Sequence, residues 1–173
     1  MGMFMASVSF RKPEESVWLQ AKEKIQQWIS QVGGLNSNLH LEEDVVGIVS
    51  PYGEEAQILS EMALLVSNLI GGTVIYANCC DSDFNLLEVY DKGEPVEKCC
   101  IGEVYEEFAE FMECNQPNFE FWNDLLLESS RVEELRSALY EREICAEDNL
   151  RKLSELIGLP VFDDALVFEG EDL

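Results

Sequence analysis

Between Thr73 and Cys100 the sequence changes its period, and that change constrains the fold more than any other feature of the chain. Three β-rich runs, Thr73 to Cys80, Asn85 to Tyr90 and Pro95 to Cys100, are separated by Asp81-Ser82-Asp83 and Asp91-Lys92-Gly93-Glu94. Both connectors are short and made of turn-forming residues, so the segment reads as a three-stranded meander.

The pattern on either side of the meander is largely helical. Phe4 to Phe10 reads as a first strand. Pro13 fits the first position of a helix, and Glu14 and Glu15 suit its positive end. Val17, Ala21, Ile25, Trp28 and Val32 recur at helical spacing until Gly33-Gly34. Asn36 to Asp44 is polar and predicts a loop, followed by a short strand from Val45 to Val49. After the turn at Pro51 and Gly53, Glu54 to Ile70 predicts a helix whose middle, Met62 to Val66, is apolar on nearly every side. Such a helix is covered on several faces, so it takes the central position.

Beyond the meander, Val104, Phe108, Phe111 and Met112 oppose Glu103, Glu106, Glu107, Glu110 and Glu113 across a further predicted helix. Asn118 is placed to start another helix, with Phe119, Trp122, Leu125 and Leu126 on it. Ser130 and Glu133 have capping-box spacing ahead of Val132, Leu135 and Leu139. Leu150, Leu153 and Ile157 mark the last helix, closed by Gly158 and Pro160. At 173 residues, with no Gly-, Pro- or Ser-rich linker and no repeat, the expectation is one α+β domain. Residues 1–100 would form an α/β-like half, with a small mixed sheet that includes the meander at about 73–100. Helices would pack on that sheet, 101–160 would be helical, and 161–173 a short acidic tail.

Charge narrows the function classes. The chain has 11 Lys and Arg against 35 Asp and Glu, a formal net charge of -24, and no base stands between Lys98 and Arg131. Its 47% hydrophobic content supports a packed core and excludes a disordered acidic tail. A field of this sign repels nucleic acid and anionic lipid and attracts basic partners. No run approaches the ~20 apolar residues of a membrane helix, and Met1 to Phe10 lacks the basic start of a signal peptide. The expected location is cytoplasmic, where the six cysteines at 79, 80, 99, 100, 114 and 145 would be reduced thiols.

The candidate chemistry is thin. His40 is the only histidine and lies in a polar stretch, which leaves no HExxH zinc pair. The glycine pairs at 33–34 and 71–72 follow helices, the reverse of a phosphate cradle. Cys79-Cys80 and Cys99-Cys100 would lie on the outer meander strands. A register pairing Tyr90 with Pro95, Leu86 with Cys99 and Cys80 with Asn85 would hold same-face thiols roughly 10 Å apart. That is too far for a disulfide or a shared zinc. Asp81-Ser82-Asp83 resembles the start of a calcium loop, but Leu86 stands where Gly is needed and Lys92 where Glu is needed. No cofactor and no catalytic group are implied. Asp81, Asp83, Glu106, Glu107, Glu110 and Glu113 are the candidate partner-binding residues.

The stretch from Thr73 through Asp81, Asp83 and Gly93, with Trp122 and the ending Glu147 to Leu159, is similar to a piece found in small acidic bacterial α+β proteins. Some of these are suspected immunity proteins that neutralise a basic toxin, as in the SMI1/KNR4-like group. The charge leads to the expectation of a non-enzymatic acidic binding protein whose helical half engages a basic protein partner, and the resemblance implies an immunity-type inhibitor as its most specific version. The alternative is a metal-dependent hydrolase built on carboxylates near Asp81 and Asp83.

Overall fold

Strand β1 (Met5–Arg11) is buried along both faces up to Phe10, and the rest of the chain is arranged around it. The structure is a computed structural model; it describes all residues except 1–3, 33–34, 36–37, 43, 52, 103, 105, 107–114, 142, 144, 163–170 and 173. β1 pairs antiparallel with β3 (Val45–Ser50) on one side and β4 (Thr73–Cys80) on the other. β5 (Phe84–Asp91) and β6 (Glu94–Gly102) extend the sheet beyond β4. β2 (Asn38–Leu41) and the two-residue β7 (Glu171–Asp172) extend it beyond β3. The order is β6-β5-β4-β1-β3-β2-β7.

The α+β class holds, with one correction. Every described pairing is antiparallel, so the sheet is not mixed. β3 and β4 do run in the same direction, joined by helix α2 (Ala56–Ile70), but β1 inserts between them and removes the parallel contact. A second correction concerns 36–44, where a loop was expected and β2 is found. Its backbone is paired by β3 and β7 whatever the polarity of its side chains, so local composition was a poor guide.

Helices cover both faces. Alternate residues of a strand point to opposite sides, and β1 shows the consequence. Ala6, Val8 and Phe10 face α1 (Glu15–Gln31) and α2, meeting Trp18, Ile25, Leu59 and Met62. The buried stripe of α1 is Trp18, Ala21 and Ile25, while Val32, which helical spacing placed on it, is exposed. On the other face Met5, Ile75, Leu87 and Ile101 meet Trp122, Leu135, Leu150 and Leu153. These come from α3 (Phe119–Asp124), α4 (Val132–Tyr140) and α5 (Ala146–Ile157). Burying each large aliphatic side chain contributes ~1.5–3 kcal/mol, so two such layers outweigh the surface charge in holding the sheet. Ser7 lies on this second face and donates its hydroxyl to the Val161 carbonyl at 2.7 Å.

The meander forms where expected, but its register differs. At the β5–β6 turn Lys92 and Gly93 take φ of 52° and 83°, the two left-handed residues of a tight hairpin. Tyr90 pairs with Pro95 as expected. A bulge then leaves Val96 without an opposite residue, so Leu86 meets Cys100 and Leu87 meets Cys99. At the β4–β5 turn Cys80 meets Phe84 and Cys79 meets Asn85, because three residues rather than four lie outside the ladder. Pro95 and the bulge also blunt the β6 edge, where a flat strand would invite pairing with another chain.

The helix starts follow sequence signals unevenly. Asn118 caps α3, its side-chain oxygen accepting from the Phe121 amide. The Ser130–Glu133 capping box does not form. Ser129–Arg131 is a 3-10 turn, α4 begins at Val132 without a side-chain cap, and Glu133 pairs instead with Arg136. Among the described residues no helix is long and apolar enough to cross a membrane.

Candidate binding surface at the acidic end of the sheet

The β4–β5 turn sets the site. Asp81 and Ser82 both have positive φ, 52° and 60°, and the Asp83 amide donates to the Cys80 carbonyl at 3.0 Å. Asp and Asn tolerate this conformation better than most residues, which suits an Asp-rich turn. The tight loop turns the side chains of Asp81 and Asp83 outward, and both residues are exposed.

The turn is held from below by α5. The Ala146 amide donates to the Ser82 carbonyl at 2.9 Å, and Asn85 Nδ2 donates to the Ala146 carbonyl at 2.6 Å. Glu147 and Asp148 occupy the first turn of α5, where the helix dipole favours negative charge. Glu147 is buried and Asp148 is paired with Arg151. Cys79 lies beneath them with its sulfur 4.0 Å from Glu147 Oε2. Burial first, and the nearby carboxylate second, push the Cys79 thiol up to about 12. A thiol so rarely ionised is a poor nucleophile, so Cys79 acts here as a core side chain.

Gly102 brings the end of β6 to the same turn. It pairs with Phe84 at φ 104°, and a Cβ there would sit 2.6 Å from the Asp83 carbonyl oxygen. The chain leaving this point carries Glu106, which is exposed. Thus Asp81 and Asp83 share one end of the sheet with Gly102, after which Glu106 follows in the sequence. Glu107, Glu110 and Glu113 lie outside the described residues.

The base-free run does not stay at that end. Glu120, Asp124 and Glu128 are exposed, but the Leu127 amide donates to the Leu156 carbonyl near the far end of α5. A 12-residue helix is ~18 Å long. Continuity in sequence therefore becomes a band along the helical layer, not one patch around Asp81. That α5 underlies the turn carries no signal in the sequence, since the contact joins residues far apart in the chain.

Most of the positive charge is used internally. At least eight of the eleven Lys and Arg residues pair with the chain's own carboxylates: Arg11, Lys12, Lys92, Lys98, Arg131, Arg136, Arg151 and Lys152. Between α4 and α5 such pairs line a groove of about 540 Å³. There Arg131 bridges Glu134 and Glu155, which holds the Glu134 carboxyl below its usual range. Under α2 the half-buried Glu88 is saturated, accepting from Ser60 Oγ at 2.6 Å and Tyr90 OH at 2.8 Å, with Lys98 Nζ at 3.4 Å.

One chemical expectation, that all six cysteines are thiols, is revised. Among the described residues, no three His, Cys, Asp or Glu side chains are placed to share a metal ion. His40 sits on β2 opposite Gly47. Of the cysteines, 79, 80, 99 and 145 are free, but Cys100 is disulfide-bonded, against the expectation that all six are thiols. Cys99 is buried beside the Trp122 indole, and that burial raises its pKa. No protein-family model, no characterised protein and no solved structure matches this chain at a significant level.

Proposed function

We propose that this chain is a non-enzymatic binding protein whose acidic surface engages a basic protein partner, in the manner of an immunity-type inhibitor. The observation that carries the reading is the disposition of charge. At least eight bases pair with carboxylates of the chain itself, and the excess of acids leaves a net charge of -24. Asp81 and Asp83 supply exposed carboxylates at one end of the sheet, and Glu106, Glu107, Glu110 and Glu113 follow in the sequence beyond Gly102.

The mechanism is occlusion. Complementary fields accelerate encounter and fix orientation, and the bound acidic face covers the partner's working surface. The same field disfavours nucleic acid. A cytoplasmic setting accords with four free cysteines, Cys100 being the exception.

Capture from lysate of the source organism, eluted in steps of rising salt, tests this reading. A single basic protein released by salt supports it. Repeated capture of nothing at low ionic strength counts against it.

A further inference from the structure

At the end of α5 remote from Asp81, the sheet and the helical layer part around a cavity of about 400 Å³. Its wall is apolar, with Ile75 from β4, Leu125 from the segment after α3, and Ile157 and Leu159 from the end of α5. Arg11 and Lys12, consecutive residues at the end of β1, line it as well. The volume lies within the range of small-molecule sites, and an apolar wall with a few charged groups is their usual composition.

In a chain with 11 bases and 35 acids, two adjacent bases line this apolar cavity, each beside a carboxylate of the chain. Arg11 also donates to the Ile157 carbonyl at 3.1 Å, but the carboxylate partners of both bases are solvent-exposed. Arg11 pairs with Asp44 at 3.7 Å and Lys12 with Glu15 at 3.0 Å, and the two carboxylate side chains are 75% and 66% exposed. Exposed pairs of this kind contribute ~0–1 kcal/mol, so an incoming anion competes with them readily. Repulsion from the distant acidic face is screened beyond ~8 Å at physiological salt, whereas the two bases act at contact distance.

We propose that this cavity binds a small monocarboxylate with an apolar tail, the tail against Ile75, Leu125 and Ile157 and the carboxylate between Arg11 and Lys12. The site lies about one α5 length from the acidic surface, so it is independent of the basic-partner reading.

Calorimetric titration of the full chain with hexanoate, decanoate and tetradecanoate tests it, with decanol and decylamine as controls. The expected result is one saturable site for decanoate, with decanol at least tenfold weaker and decylamine weaker still. R11Q and K12Q should each weaken decanoate about tenfold, the scale of one charge-assisted contact. Each variant's fold is checked by near-ultraviolet circular dichroism, and the ligand controls need no variant. No saturable binding, or equal affinity for decanol and decanoate, would overturn the proposal. So would unchanged decanoate affinity in both folded variants.

Discussion

Arg11 Nη2 lies 3.1 Å from the carbonyl oxygen of Ile157, so the end of β1 caps the last turn of α5 across 146 residues of sequence. The last carbonyls of a helix have no partner within it, and a guanidinium there both donates a hydrogen bond and opposes the negative end of the dipole. The Arg11 side chain is 50% exposed, which keeps the contribution modest. Arg11→Met, which preserves the apolar stem, should lower unfolding stability by about 1 kcal/mol in urea titration. An unchanged midpoint would show that water replaces the contact without loss.

Gly102 is the point at which β6 reaches the Asp81–Asp83 turn. Its φ of 104° is strained for any residue with a side chain, and the space is closed by the Asp83 carbonyl oxygen and Phe84 Cα. Gly102→Ala should therefore cost about 1–3 kcal/mol and shift the amide resonances of residues 81–84. A stability equal to that of the parent would mean that this junction relaxes freely.

Alkaline pH should destabilise the fold. Burial raises Cys79 from 9.0 to about 12 and Cys80 from 9.0 to about 11, and it also raises Cys99 and Tyr76. Where the unfolded chain has lost these protons and the folded chain retains them, the unfolded state binds fewer protons, so stability falls as pH rises. The contribution is complete below about pH 9 and is lost between about pH 9 and 12. Urea midpoints measured from pH 8 to 11 under reducing conditions should decline, and Cys79→Ala should make the decline shallower. A flat profile across that interval would contradict the burial of these groups.

The parts of the fold that were legible in the sequence are those specified locally. Lys92-Gly93 is the right pair for a tight hairpin, and the Asp81-Ser82-Asp83 connector turns where its composition says it should. Asn118 announced α3 by the same short-range logic. The parts that escaped depend on partners distant in the chain. The strand at Asn38–Leu41 exists because β3 and β7 pair with it, and no periodicity within four polar and apolar residues reports that. The bulge at Val96 shifts Cys99 and Cys100 by one residue without a local marker. At the site, the exposure of Asp81, Asp83 and Glu106 could be read from their chemistry. The support from Ala146 and Asn85 could not, because it is a tertiary contact between a turn and a helix start.

The most direct measurement is the affinity of the captured basic partner for the parent chain and for the D81K/D83K/E106K variant across a range of ionic strength. These residues are exposed, and near-ultraviolet circular dichroism checks that the variant keeps its fold despite the positive φ at Asp81. The account predicts affinity that falls steeply with salt for the parent, and a loss of at least tenfold for the variant at low salt. Equal affinity for the two chains, with the same shallow salt dependence, would contradict it.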